Sequence, residues 1–230
     1  MKKILKKIIN LLSILLAKKN SKKIIKRIKK YKYISFDVFD TLIIRKTKSE
    51  KDIFKIVEKK YNEKNKKKIN DFYKKRIKCE TIARKNTPKE EINIDDVYAY
   101  LNYDNSTKKA LKELEKQIEI ENTRKSNMMY KVYDYCIKNK KSIFITSDMY
   151  LKKETIKQIL NNNGYDKIKK LYVSSEYNAT KKNRNIFKII LLENNISKKD
   201  IIHIGDNFIS DYINPKIIKV DSVWIKNKKE

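Results

Sequence analysis

Residues 33–44 read YISFDVFDTLII: an apolar run that stops at two aspartates three positions apart, Asp37 and Asp40, and then a threonine, Thr41. The first half, Tyr33 to Asp37, is short and rich in β-branched and aromatic residues, which suits a buried strand. Carboxylates do not suit one, because taking an unpaired charge out of water costs several kcal/mol. Their place at the end of the run asks for a chemical use.

Four later runs have the same character: Ser142–Ser147, Lys170–Ser174, Ile201–Gly205 and Val220–Ile225. They lack strict alternation, as strands buried on both faces of a parallel sheet do. Helical patterns lie between them, over Lys152–Asn162 and Asn185–Asn194, and Gly164 is placed to end the first. Strands alternating with helices predict stacked βαβ units, an α/β fold with a Rossmann-like parallel sheet.

The gap between the first two strands is different. Roughly a hundred residues separate Asp37 from Ser147, and nearly all carry helical patterns. Ile53, Phe54, Ile56, Val57 and Tyr61 make one stripe; Phe72, Tyr73, Arg76 and Ile77 begin another helix. Thr87-Pro88 opens a short third helix, since proline suits a first turn. Leu111, Leu114, Ile118 and Met128 to Ile137 carry the chain back. A crossover needs only about a dozen residues, so this is an inserted helical module. The expected division is a basic amphipathic extension over 1–32, a core over 33–45 and 140–230, and a helical cap over 46–139.

Ligands of open α/β sheets bind at the carboxyl ends of the strands. Those ends carry Asp37, Ser147 with Asp148, and Asp206 in the run GDNFISD, which closes on Asp211; Lys181-Lys182 follows the third strand. Carboxylates supply the hard oxygen ligands of Mg2+. A hydroxyl and an ammonium hold phosphoryl oxygens, and an aspartate can attack as a nucleophile.

FDVFDTLI, SIFITSD, the lysine before Ile186-Phe187, and IIHIGDNFISD stand in the order of the four motifs of the haloacid dehalogenase-like (HAD) hydrolases. The chain resembles that superfamily over roughly Tyr33 to Ile225. ITSDMYL and SSEYN resemble a bacterial branch often found near surface-polysaccharide genes. The resemblance implies that Asp37 is the nucleophile and a Mg2+ ligand, joined by Asp206 and Asp211. Ser147 would bind the transferring phosphoryl group, with Thr146 as the alternative. Lys181, better spaced from Ile186-Phe187 than Lys182, would stabilise charge on phosphoryl and nucleophile. Gly205 would allow close backbone approach, and the helical insertion would cap the substrate. The implied function is Mg2+-dependent hydrolysis of a small phosphorylated metabolite, a sugar phosphate among the candidates, through an aspartyl-phosphate on Asp37. The alternative is a catalytically weak or inactive HAD-fold binding protein, or a phosphotransferase, linked to surface-polysaccharide metabolism.

The chain departs from the family at one position. The family's phosphatases carry an acid–base aspartate two residues after the nucleophile, where this chain has Phe39, although Phe39 keeps the backbone carbonyl that binds the metal. The aspartate comes one later, at Asp40, where a glycine is common. Asp40 serves as a relocated acid–base, or as a turn residue, or the reaction does without an acid. Carbon–halogen cleavage fits the missing acid but not the retained GDNFISD run. Simpler readings stand beside these: Ser147 as the N-cap of a helix starting near Tyr150, Asp206 and Asp211 as turn and cap residues, and His203 and Trp224 as core.

The 58 basic and 28 acidic residues leave a net charge of +30. That excess fits an anionic partner, but Lys, Asn, Ile and Tyr are abundant together while Gly and Pro number 2 each, as AT-rich codons produce. A solvated basic surface is preferred and nucleic acid is not expected. Cys79 and Cys136 read as reduced thiols. In residues 1–17, Ile4, Leu5, Ile8, Leu11, Leu12, Leu15 and Leu16 share one helical stripe, too short to span a bilayer. That segment suits peripheral contact with an anionic membrane or packing on a partner. The expected location is cytoplasmic, at the inner membrane surface where that contact forms.

Overall fold

The structure, a computed structural model, describes residues 20–225, so the amphipathic segment 1–17 lies outside the described residues. Five short strands form one parallel sheet: β1 (Tyr33–Phe36), β4 (Ser142–Ser147), β5 (Lys170–Val173), β6 (Ile201–Gly205) and β7 (Asp221–Trp224), in the order β5-β4-β1-β6-β7. β1 is central, pairing Ser35 with Phe144 on one side and with His203 on the other. Both faces are covered, as runs without alternation require. Ile34, Phe36, Ile143, Ile145, Ile202 and Ile204 belong to the larger core. Phe144 and Ile201 pack on the other face with Ile186, Phe187, Ile190 and Leu191 of helix α9 (Asn185–Glu193).

Helix α1 (residues 20–28) precedes β1. The insertion holds α2 (Asp52–Lys64), α3 (Phe72–Asn86), α4 (Ile94–Ala99) and α5 (Asn105–Glu121). It is bracketed by a two-stranded antiparallel ribbon, β2 (Ile43–Arg45) with β3 (Thr123–Lys125), and α6 (Asn127–Lys138) leads back to β4. Strands of three residues carry no periodicity, so the helical reading of this stretch passed over them. Thr87-Pro88 does not open a helix: α3 ends at Asn86, and Thr87 is extended, as residues before proline are. α4 instead starts beyond Asn93, whose side chain accepts from the N–H groups of Asp95 and Asp96 while Asp96 caps Asn93 in return.

Between β4 and β5 runs α7 (Lys153–Asn162), closed where Gly164 takes φ of 82°. The backbone bonds Gly164 N–H to Asn161 and Tyr165 N–H to Leu160 satisfy its last carbonyls. α8 (Ser174–Tyr177) follows β5, and α10 (Asn214–Ile217) precedes β7. Trp224 is not core: on the edge strand β7 it is 42% exposed, and its indole N–H donates to the Asp206 carbonyl. Cys79 and Cys136 are free and buried. Among the described residues no helix is long and apolar enough to cross a membrane.

Candidate active site

The ladder of β1 continues past its last strand residue, because Asp37 N–H donates to the Ile204 carbonyl at 2.9 Å. This holds Asp37 beside the end of β6. β6 stops at Gly205, Asp206 follows, and the chain enters a π-helical turn over Phe208–Ile213. Asn207 caps that turn through its side chain, and Asp211 Oδ2 accepts the Asn207 N–H at 2.9 Å. The turn folds Asp211 tightly against the strand end. A Cβ at position 205 would stand 2.4 Å from Asp211 Cγ, so glycine is what lets the two approach.

Lys181 reaches the same point from the loop beyond α8. The Asp148 carboxylate accepts its backbone N–H at 2.9 Å and that of Lys182 at 3.3 Å. Lys181 Nζ then donates to Asp37 Oδ1 at 2.5 Å and to Asp211 Oδ1 at 2.6 Å, whereas Lys182 is exposed. Of the two lysines in the pair, Lys181 meets the carboxylates. Ser147 is buried at the end of β4, and α7 starts too late for it to be the N-cap. Thr146 points elsewhere, bonding Ser35 Oγ at 2.9 Å on the α9 face of the sheet.

Asp37, Asp206 and Asp211 each offer an oxygen within 4.8 Å of the others. Burial, opposed by Lys181 and reinforced by Asp211 and Asp206, raises the Asp37 carboxyl to about 7. Burial, Asp211 and Asp40 raise Asp206 to about 6. Asp211 is held low despite its burial, by Lys181 and His203. Burial would lower Lys181, but Asp211 and Asp37 keep its ammonium charged. Three carboxylates thus share one ammonium. An all-oxygen donor set with surplus negative charge fits a hard divalent cation such as Mg2+.

His203 is buried, as expected of a core residue, but it is also a partner of the cluster: Nε2 lies 3.1 Å from Asp211 Oδ1. Burial lowers its pKa and keeps the ring neutral. Sequence reading assigned no role to His203 or Asp148. Asp148 stands next to Ser147 at a strand end, which was the available signal. Nothing in IIHIG distinguishes a histidine that bonds an aspartate eight residues later.

Phe39 and Asp40 lie in the turn between β1 and β2, closed by bonds from Ile43 N–H to Val38 and from Asp40 N–H to Ile43. Asp40 takes φ of 55°, a left-handed conformation that glycine adopts freely and aspartate tolerates better than most residues. Its charge reaches Asp206, while Thr41 Oγ1 lies 3.4 Å from Asp206 Oδ1. The Phe39 ring lies under the Arg45 guanidinium, 3.9 Å from its centre, and Arg45 is paired with Glu119 of α5. A cavity of about 260 Å³ opens between the insertion and the core, lined by Arg45, Phe54, Glu80, Arg84, Asp148 and Tyr150 among others.

A parallel α/β sheet, a helical insertion after its first strand and an acidic cluster at its carboxyl edge are the layout of the HAD fold. The likeness to solved structures agrees. The HAD-hydrolase YfnB of Bacillus subtilis bound to magnesium is 15% identical with a TM-score of 0.61, over 87% of this chain and 91% of that one. A 2-haloacid dehalogenase of Pseudomonas syringae is 12% identical with a TM-score of 0.63, over 87% and 90%. A HAD family enzyme of Bacteroides thetaiotaomicron, in complex with magnesium and inorganic phosphate, is 14% identical with a TM-score of 0.56, over 87% and 96%. No family model matches the chain, and no curated protein matches it. The chain has the HAD fold.

Proposed function

We propose that the protein is a Mg2+-dependent phosphohydrolase that passes the phosphoryl group of a small phosphorylated metabolite through Asp37 to water. The observation that carries this reading is the convergence of Asp37, Asp206 and Asp211 on one another and on Lys181 Nζ at the carboxyl edge of the sheet. Solved structures of the same fold hold magnesium, in one case with inorganic phosphate. In this reading Asp37, Asp206, Asp211 and the Phe39 carbonyl would hold Mg2+, which when bound would supply positive charge to offset that of the phosphoryl oxygens.

A carboxylate oxygen of Asp37 attacks phosphorus, the new O–P bond forms, and the ester O–P bond breaks. Lys181 keeps Asp37 aligned, and the Ser147 hydroxyl donates to a phosphoryl oxygen. Asp40 gives its proton to the leaving oxygen. Water then attacks the aspartyl-phosphate, Asp40 takes its proton back, and Asp37 is regenerated as inorganic phosphate leaves. The Arg45–Glu119 and Arg84–Glu80 pairs, with the Phe54 and Tyr150 rings, give the cavity donors, acceptors and flat apolar faces suited to a hydroxyl-rich leaving group, such as a sugar.

The test is phosphate release from sugar phosphates, nucleotides and acyl phosphates, with Mg2+ or EDTA, by the parent and by Asp37→Asn. Turnover that needs both Mg2+ and Asp37 upholds the reading. The aromatic Phe39, seated where an acid is usual, favours a second one: a binding protein or phosphotransferase linked to surface-polysaccharide metabolism. Mg2+ binding without phosphate release from any substrate would select it. Membrane contact through residues 1–17 of a cytoplasmic protein is compatible with either. Flotation with anionic liposomes, with and without residues 1–17, tests it, and equal flotation of both forms would remove it.

A further inference from the structure

We infer that His203 is a positioning residue for the acidic cluster, holding Asp211 from below through Nε2–H while Ser35 and Thr146 hold its ring. The inference rests on the Mg2+ reading above and adds a layer beneath it. Thr146 on β4, Ser35 on β1 and His203 on β6 occupy three neighbouring strands, and all are fully buried. They lie on the face covered by α9, where the surroundings are Phe144, Ile201, Phe187 and Ile190. Polar side chains in such a layer need partners, and here they find one another. Thr146 Oγ1 lies 2.9 Å from Ser35 Oγ, which lies 2.9 Å from His203 Nδ1, and His203 Nε2 lies 3.1 Å from Asp211 Oδ1. The Phe187 ring meets the imidazole edge to face at 4.9 Å and closes its side.

Counting hydrogens fixes the direction of this chain. An ionised carboxylate only accepts, so the Asp211 contact places the hydrogen on Nε2. A neutral ring then has a bare Nδ1, which accepts from the Ser35 hydroxyl. With its hydrogen committed, Ser35 Oγ accepts in turn from Thr146. Every member is satisfied in one arrangement, and its end point is a fixed N–H aimed at Asp211. Asp211 Oδ1 receives that N–H and the Lys181 ammonium at 2.6 Å, and Oδ2 receives the Asn207 N–H at 2.9 Å. Three donors from β6, the loop after α8 and the π turn fix the plane of the carboxylate. Lys181 is shared with Asp37, so the orientation of Asp211 is passed on to the nucleophile position. Outer partners of this kind set metal affinity through the geometry of the ligands.

The sequence contains 1 histidine, so an untagged chain labelled with 15N-histidine shows one imidazole. The expected spectrum of the metal-free protein is the neutral Nε2–H tautomer, with ring resonances that move when Mg2+ is added. Titration calorimetry with Mg2+ gives the second readout. His203→Leu is expected to weaken binding about 10–100-fold, while His203→Gln, which can still present an N–H to Asp211, keeps most of the affinity. Ser35→Ala is expected to admit the Nδ1–H tautomer and to weaken Mg2+ binding by less than His203→Leu. A parent ring in the Nδ1–H form would overturn the inference. So would a His203→Leu protein that melts earlier yet binds Mg2+ like the parent. If His203→Leu does not fold, Ser35→Ala decides: an unchanged tautomer with unchanged Mg2+ affinity is equally fatal. A parent that binds no Mg2+ would overturn the metal reading itself and this inference with it, whereas a binding parent matched by its variants overturns this inference alone.

Discussion

The protein buries charge in several places, and two of them are built on opposite plans. In the helical insertion, Arg76 of α3 is fully buried against Glu115 of α5. Each oxygen of Glu115 receives one guanidinium N–H and one tyrosine O–H: Oε1 from Arg76 and Tyr150, Oε2 from Arg76 and Tyr98. The Phe54 and Tyr150 rings lie 4.6 and 4.8 Å from the guanidinium. At the sheet edge, three carboxylates meet a single ammonium and are left with surplus negative charge. Burial of charge alone therefore does not distinguish the candidate site from a structural ion pair. A buried pair whose carboxylate oxygens each accept two hydrogen bonds has little left to offer a ligand, whereas an unbalanced cluster has charge to spare for one.

Single substitutions should separate the two plans sharply. Asp37→Asn is expected to lower phosphate release by about 10⁴-fold or more, as removal of a nucleophile does. It should leave the metal-free protein melting no earlier than the parent, since it removes charge from an overcharged cluster. Arg76→Ala should do the reverse. Glu115 would be stranded without its cation at a cost of about 3–5 kcal/mol in urea denaturation, with the turnover of the folded fraction nearly intact. Replacing both partners, as Arg76→Met with Glu115→Leu, should recover much of that loss. A double replacement as unstable as Arg76→Ala would argue against the balanced description.

The sheet and the strand-end carboxylates were legible because each depends on a few adjacent residues. The observed strands of the sheet differ from the expected ones by no more than one residue at any end, and Asp37, Ser147, Asp206 and Asp211 stand at or just beyond strand ends, while preferring Lys181 to Lys182 took the spacing of the family the chain resembles. Arg76 was legible as part of a helix, and Glu80 stands four residues on as a local partner, but Glu115 is 39 residues away on another helix, and no local pattern encodes that distance. The β2–β3 ribbon failed for the same reason, being two three-residue strands paired across the whole insertion. His203 looked like core because it is core; its bond to Asp211 depends on the π turn that brings residue 211 back under Gly205. Trp224 looked like core because a large aromatic usually is, and an edge strand left it half exposed instead.

Asp40 tests whether the cluster extends into the turn that follows β1. Its φ of 55° is a glycine-like conformation, so Asp40→Gly removes the carboxylate without straining the backbone. As the acid–base, Asp40 should cost about 10²-fold in turnover when replaced by glycine or asparagine, with the melting temperature held in the glycine variant. Phosphate release by Asp40→Gly equal to that of the parent would assign the residue to the turn alone and confine the chemistry to the sheet edge.

The smallest expected effect is the dependence of metal stabilisation on pH, and its sign follows from the charge imbalance. Asp37 at about 7 and Asp206 at about 6 retain protons in the folded, metal-free protein that the unfolded chain has released near its ordinary value of 3.8. Their contribution to stability is complete below the unfolded value and fades as pH rises through 6 to 7. His203 runs the other way: lowered from 6.5 by burial, its contribution is present above that value and is lost as pH falls. The two partly cancel, so melting in EDTA alone has a shallow profile. Mg2+ must displace the carboxyl protons, and the difference between melting with Mg2+ and melting with EDTA isolates that competition. At Mg2+ about tenfold above its dissociation constant the gain should reach about 1.4 kcal/mol, or about 3–6 °C, above neutral pH, and shrink steadily toward pH ~5. Asp206→Asn should flatten this profile, and Arg76→Ala should shift both curves down without changing their separation. A gain that is constant across the range would mean that the sheet-edge carboxylates are already ionised without the metal, and that the surplus charge is carried in some other way.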